Sequence, residues 1–257
     1  MSNIKDKKAF ICDMDGVIYH GNRLLNGAVA FVNWLQDEKK EYIFLTNSSE
    51  RSPIELCQKL QRLGLEVPKE RFYTSALATA NFLHSQCPGG SAYVIGDAGL
   101  ITALHDVGFS MNDVSPDYVI VGESRSYNFE KIEKAVRLVL KGAKLIGTNP
   151  DLTGPTEKGI VPATRALIAP IELSTGKQAY YIGKPNPLMM RHARKRLGCT
   201  SEETAIIGDR MDTDIIAGIE SGMDTILVLS GVTSEEMLIN FPYRPSYIFN
   251  GVGDIID

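Results

Sequence analysis

Ala9-Phe10-Ile11-Cys12-Asp13-Met14-Asp15-Gly16 carries four apolar residues directly into two aspartates and a glycine. If the four form a strand, Asp13 and Asp15 are two residues apart, and an extended backbone puts both carboxylates on the same side. Taken alone, Asp15-Gly16 reads as well as a turn, with Asp13 as a cap. The surrounding sequence has to decide.

Outward from this stretch, short runs rich in Ile, Val, Phe and Tyr alternate with segments of helical period, the rhythm of βαβ units on a parallel sheet. The runs predict strands over 9–12, 42–45, 92–95, 118–121, 144–146, 180–182, 205–207, 225–228 and 247–249. Helices are predicted over 27–39, 53–63, 76–85, 99–107, 129–140, 163–174, 187–197 and 213–221, several opened by Ser, Asn or Asp and closed by Gly. The fold class is therefore α/β, with a doubly wound, Rossmann-like parallel sheet.

Composition narrows the partners. The 257 residues are 44% hydrophobic, enough to bury one large core or two modest ones. A formal charge of −4 with no long Lys/Arg run gives no footprint for nucleic acid or an anionic membrane. Cys12, Cys57, Cys87 and Cys199 lie far apart without CxxC spacing, so neither a zinc site nor a disulfide framework is expected. The charged start, MSNIKDKKAF, and the lack of a long apolar run lead to an expected cytoplasmic protein. Oligomeric state is left open, a homo-oligomer included.

Open α/β sheets bind ligands at the carboxyl ends of their strands, and four predicted strand ends carry loaded side chains. Besides Asp13 and Asp15, the run Phe44-Leu45-Thr46-Asn47 ends in a hydroxyl and an amide that can donate to a phosphate oxygen. Ile182-Gly183-Lys184-Pro185 places an ammonium at a strand end. Ile206-Ile207-Gly208-Asp209-Arg210-Met211-Asp212-Thr213-Asp214 is the most specific, since three carboxylates after one apolar strand repel one another unless a cation joins them. Asp212 and Asp214 have a plainer use as a cap and first-turn acid of the next helix; Asp209 has none. Polar clusters of this kind lie at both ends of the chain and are missing near Val94 and Val119. A core of residues 1–75 and 184–257 is therefore expected, with 76–183 inserted as a smaller α/β domain.

Together these elements resemble the haloacid dehalogenase superfamily, and within it the NagD-like and p-nitrophenyl-phosphatase-like branch. The likeness rests on Asp13-Met14-Asp15-Gly16-Val17-Ile18-Tyr19, Thr46-Asn47, Gly147-Thr148-Asn149-Pro150-Asp151, Gly183-Lys184-Pro185 and Gly208-Asp209-Arg210-Met211-Asp212-Thr213-Asp214, which span almost the whole chain. About thirty residues between Asp15 and Thr46 leave room for one loop and one helix, whereas well over a hundred separate Asn47 from Lys184. An α/β cap domain inserted between the second and third motifs is thus what the resemblance implies for 76–183.

The resemblance further implies a phosphatase acting on small phosphate monoesters such as a nucleoside monophosphate or sugar phosphate. Asp13 is the implied nucleophile, forming a phosphoryl-aspartate, and Asp15 the acid and base. Mg²⁺ is implied on the carboxylates of Asp13 and Asp209 and the backbone carbonyl of Asp15, with Asp214 orienting that shell. Thr46, Asn47 and Lys184 are the implied phosphate-binding groups. Asp15 is expected to have its carboxyl raised by burial beside another carboxylate, while the metal holds Asp13 ionised. Asn149 and Asp151 are candidates for substrate specificity, although an Asn-Pro turn with an Asp cap accounts for them equally. His20, His84, His105 and His192 are scattered and read as structural or surface groups. The expected partner is a small phosphorylated metabolite.

Two other classes share part of the pattern. A receiver-like phosphoacceptor for signalling also uses an Asp, a Thr and a Lys on neighbouring strand ends, but it leaves the insertion and the Asp209 motif without a use. A phosphotransferase or dehalogenase of the same superfamily would share Asp13; for the dehalogenase, Asp15 and Asp209 are what phosphoryl chemistry demands instead.

Overall fold

The computed structural model describes residues 4–156 and 159–256. The chain runs through β1 (Ala9–Cys12), a short hairpin of β2 (Tyr19–His20) and β3 (Arg23–Leu24), α1 (Ala28–Asp37), β4 (Glu41–Thr46), α2 (Pro53–Arg62) and β5 (Phe72–Thr74). There follow α3 (Ser75–Gln86), β6 (Ser91–Ile95), α4 (Ala98–Asp106), β7 (Ser110–Met111), β8 (Tyr118–Val121), α5 (Phe129–Leu140) and β9 (Lys144–Gly147). An antiparallel hairpin of β10 (Thr153–Thr156) and β11 (Gly159–Pro162) leads to α6 (Thr164–Thr175) and β12 (Tyr180–Tyr181). The last part holds α7 (Pro187–Leu197), β13 (Thr204–Gly208), α8 (Ile216–Glu220), β14 (Asp224–Val228) and β15 (Tyr247–Phe249).

Two compact units result. One comprises the residues up to Thr46, Cys57–Tyr73 and the residues from Lys184 onward; the other comprises Asn47–Leu56 and Thr74–Gly183. Compared with the boundaries drawn from sequence, the segment 47–56 and residues 74–75 group with the inserted unit. The cause is local bonding: Ser49 donates its N–H and hydroxyl to Glu123, and Gly99 N–H donates to the Glu50 carbonyl. A Cβ on Gly99 would stand 2.6 Å from the Arg51 backbone, so only glycine lets these two chains approach.

The first unit is built on a six-stranded sheet of order β15-β14-β13-β1-β4-β5. β1 pairs in parallel with both β13 and β4, and β14 pairs in parallel with β13 and β15. All four residues of β1 and all five of β13 are buried, so these strands are covered on both faces as a parallel sheet demands. On one side Phe10 meets Phe31 and Trp34 of α1 edge-on, with centroids 6.4 and 5.5 Å apart. α7 also packs on β1 and β4. The strand order reverses direction at β1, which is where such a sheet opens a crevice at its carboxyl ends.

The second unit has its own sheet, β12-β9-β8-β6-β7, with every pairing parallel. Its core joins Val119, Val121 and Leu145 of the sheet to Leu138 of α5 and Ile168 and Ile171 of α6. The α/β class and parallel sheet expected from sequence are therefore present, and the insertion is itself an α/β unit.

Candidate active site

Register brings the first unit's motifs together. Cys12 lies opposite Ile207 of β13 and Phe44 of β4, so the residue that follows β1, Asp13, emerges between the two neighbouring strand ends. Its N–H donates to the Ile207 carbonyl at 2.8 Å. Lys184 is only 2% exposed, and its ammonium donates to Asp13 Oδ1 at 2.6 Å and to Asp214 Oδ1 at 2.7 Å. It also reaches the Leu45 carbonyl at 3.4 Å, next to the buried Thr46 at the end of β4.

Asp209 leaves β13 buried, and its Oδ2 accepts from the Val232 N–H at 2.7 Å. That donor sits on the loop after β14, which is tied to the first motif because Ser230 donates its hydroxyl to the Gly16 carbonyl at 2.7 Å. Space around Asp209 is closed by glycines. A Cβ on Gly16 would lie 2.5 Å from its Oδ2, and one on Gly231 would lie 2.0 Å from it. Gly16 additionally has φ of 80°, in the left-handed region.

Asp214 does not serve merely as a first-turn acid. It is fully buried, receives Lys184 on Oδ1, and accepts from the Arg210 N–H and the Thr213 hydroxyl on Oδ2. The helix predicted over 213–221 accordingly begins as a stretch of π-helix, Met211–Ile215, before the short α8. Asp212 is gripped by the Arg210 guanidinium, which donates from Nε to its Oδ1 and from Nη2 to its Oδ2.

The electrostatics follow from burial and crowding. Burial drives the Asp13 carboxyl well above its usual range, and Asp214 and Asp209 push the same way against the pull of Lys184. Burial and Asp214 push Asp209 up to about 7, opposed by the Val232 N–H. Burial alone would lower the Lys184 ammonium, but Asp13 and Asp214 outweigh it and hold it above its ordinary value. Asp15 is raised by burial, while His20 and Lys59 pull it down. Burial raises Asp15 as expected, but the carboxylate crowding expected beside it acts on Asp13 instead, and the groups facing Asp15 are His20 and Lys59.

One carboxylate oxygen from each of Asp13, Asp209 and Asp214 lies within 4.8 Å of the others. With all three carboxyls ionised, the one ammonium of Lys184 would leave two negative charges for a cation to offset. All the donors are hard oxygens, which fits a divalent cation of the Mg²⁺ or Ca²⁺ type.

The other predicted site residues belong to the second unit. Asn47 donates from Nδ2 to Asp151 at 3.0 Å, and its carbonyl accepts from the Ser75 hydroxyl at 2.5 Å and from Asn149 Nδ2 at 2.7 Å. Asn149 is fully buried, also donates to Glu123, and accepts from the Asp151 N–H. Both the amide nitrogen and oxygen of Asn149 are thus engaged inside the unit, which corrects its candidacy as a specificity residue: it is a structural tie. Asp151 is only partly buried.

Residues 10–110 match the family model described as haloacid dehalogenase-like hydrolase, and residues 181–255 match a second one described as HAD-hydrolase-like. A dihydroxyacetone phosphatase of Corynebacterium glutamicum is 46% identical, with 97% of this chain and 90% of that protein covered. The chain belongs to the haloacid dehalogenase-like hydrolases. Within that family it falls in the NagD-like branch. The ribonucleotide monophosphatase NagD of Escherichia coli K12 is 44% identical over 96% of this chain and 98% of its own, and its structure superposes with a TM-score of 0.91. The structure of a 4-nitrophenylphosphatase from Thermotoga maritima, 31% identical, gives a TM-score of 0.95 and covers 99% of this chain and 98% of its own.

Three parts of this family site escaped the sequence. The loop after β14 supplies the Val232 N–H, and its only local signal is that Val228 is a further strand end followed by Leu-Ser-Gly. His20 is exposed, as a surface histidine would be, yet it brings Nδ1 to 3.4 Å from Asp15 Oδ1. Lys59, buried, sets its ammonium 3.5 Å from the centre of the Tyr19 ring.

Proposed function

We propose that the chain is a phosphatase that hydrolyses small phosphate monoesters in the cytoplasm through a phosphoryl-aspartate on Asp13, with Mg²⁺ as its cation. The observation that carries this is Asp13 at the sheet's switch point, its side chain only 12% exposed, paired with Lys184 and crowded by Asp209 and Asp214. The names of the relatives, a dihydroxyacetone phosphatase, a ribonucleotide monophosphatase and a 4-nitrophenylphosphatase, support the same class of substrate.

Asp13 and Asp209 would hold the cation with the Asp15 carbonyl, and Asp214 would orient the shell. Bound there, the cation supplies charge neutralisation, allowing Asp13 to act as a carboxylate despite its burial. An Asp13 oxygen forms a bond to phosphorus as the ester P–O bond breaks. The leaving oxygen keeps that electron pair and takes the proton of Asp15, giving the free alcohol. Asp15, now a carboxylate, accepts a proton from the water that attacks phosphorus, and inorganic phosphate departs with Asp13 restored. Lys184 and Thr46 would hold the phosphoryl oxygens.

A phosphate-release screen over alkyl, sugar, nucleoside and nitrophenyl monophosphates, with and without Mg²⁺, tests the proposal. Release that depends on Mg²⁺ and vanishes in Asp13→Asn is expected. Release undiminished in Asp13→Asn would overturn the covalent route.

A further inference from the structure

Asp15 is held unlike its neighbours. Its Oδ1 is shut off from solvent and accepts no hydrogen bond, yet the side chain as a whole is 40% exposed. The exposed part of the carboxyl is therefore on the Oδ2 side. His20 Nδ1 stands 3.4 Å from the enclosed Oδ1, close enough that a small adjustment makes it a donor. The neutral ring suffices, with its proton on Nδ1.

The chain builds this approach deliberately. Gly16 turns the backbone at φ of 80°, its N–H donates to the Tyr19 carbonyl at 2.8 Å, and Asp15 bridges Tyr19. The turn thus returns on itself within five residues and delivers His20, the second residue of β2, beside Asp15. Pairing of His20 with Arg23 completes the hairpin. From α2, Lys59 stacks its ammonium on Tyr19, a contact of the cation–π type that ties the same strand from the other element.

We propose that His20 is a positioning residue for Asp15, occupying Oδ1 so that Oδ2 bears the proton and meets the leaving oxygen, and that Lys59, through Tyr19, holds the strand carrying His20. The proposal rests on the phosphatase reading above. A plain surface pair would leave catalysis unmoved, since exposed pairs of this kind contribute little.

The test compares leaving groups. p-Nitrophenol departs with little need of a proton, whereas an alkyl alcohol needs one, so loss of a well-placed acid falls on alkyl esters. We would measure kcat and KM for p-nitrophenyl phosphate and glycerol 3-phosphate with the wild type, Asp15→Asn, His20→Ala, His20→Asn and Lys59→Met, all with Mg²⁺. General acid catalysis contributes about 10²–10⁴-fold. His20→Ala should lose about ten-fold or more in kcat on glycerol 3-phosphate relative to p-nitrophenyl phosphate, with KM little changed. His20→Asn, whose amide can donate from nearly the same place, should recover most of that, and Lys59→Met should show a smaller discrimination of the same sign. Equal losses on both substrates in His20→Ala, with Asp15→Asn still discriminating, would overturn the proposal alone. If Asp15→Asn itself failed to discriminate, the general-acid role would fall and the proposal with it.

Discussion

Replacing Lys184 by Met keeps the length of the side chain and removes one charge. The Lys184 side chain is 3% exposed, and those of its partners Asp13 and Asp214 are 12% and 1% exposed, so the variant strands two carboxylates where water hardly reaches. Breaking a buried pair by removing one partner costs about 3–5 kcal/mol. At about 2–4 °C per kcal/mol for a chain of this size, the midpoint of thermal unfolding should fall by about 6–20 °C. The loss should depend on pH. Burial already holds the folded Asp13 carboxyl well above its ordinary value, and Lys184 is the main group pulling it down. Without Lys184 the folded state binds that proton more tightly than the unfolded state, so the variant loses stability as pH climbs from about 4 through the raised folded value. The gap to wild type should therefore be wider at pH 8 than at pH 5. Circular-dichroism melts at both pH values in the presence of a chelator read this directly. A gap under about 2 °C at pH 8, or one that widens on acidification, would refute the burial and pairing assigned to Lys184.

Two further substitutions probe the supports of the site. Gly16→Ala would put a Cβ 2.5 Å from Asp209 Oδ2 on a backbone at φ of 80°, costing about 1–2 kcal/mol in conformation alone; an Mg²⁺ titration of activity should shift to higher concentration, and an unchanged titration would count against the packing of Gly16 on Asp209. Glu123→Ala removes the acceptor for the Ser49 N–H and hydroxyl and for Asn149 Nδ2, at about 1–3 kcal/mol for groups left without a partner. Hydrogen exchange at the Ser49 amide should quicken by a factor of ten or so, about the effect of 1.4 kcal/mol on a local opening. No change in that amide would contradict the tie.

How far the sequence carried the fold depends on the kind of signal each element has. β1 and β8 stand at the limits read from their apolar runs, because burial decides these four-residue strands outright, and β15 also stands at its predicted limits although its three residues are only partly covered. α5 and α7 also match, since their ends are written locally: Asn128 caps Lys131 N–H, Asn186 caps Leu188 N–H with Pro187 behind it, and Gly198 closes at φ of 68°. The hairpins β2–β3 and β10–β11, and the short β5 and β7, were not legible. Strands of two to four residues carry no period, and Gly154 and Pro155 in β10 speak against a strand until its partner β11 is seen. The site divides along the same line. Asp13, Lys184, Asp209 and Asp214 sit beside apolar runs and could be read from them. The Ser230 to Gly16 contact spans more than two hundred residues of chain, and the approach of His20 to Asp15 depends on a left-handed glycine turn, so neither has a local signature. Asn149 was legible as a motif, yet its burial, which settles its use, was not.

The most direct measurement is the site of phosphorylation. Protein mixed with p-nitrophenyl phosphate and Mg²⁺, quenched in acid within the first turnover and digested, should yield the peptide containing Asp13 heavier by one phosphoryl group, labile to hydroxylamine and missing in Asp13→Asn. Rapid turnover with no phosphoryl group on that peptide, or with the group carried by another residue, would contradict the account.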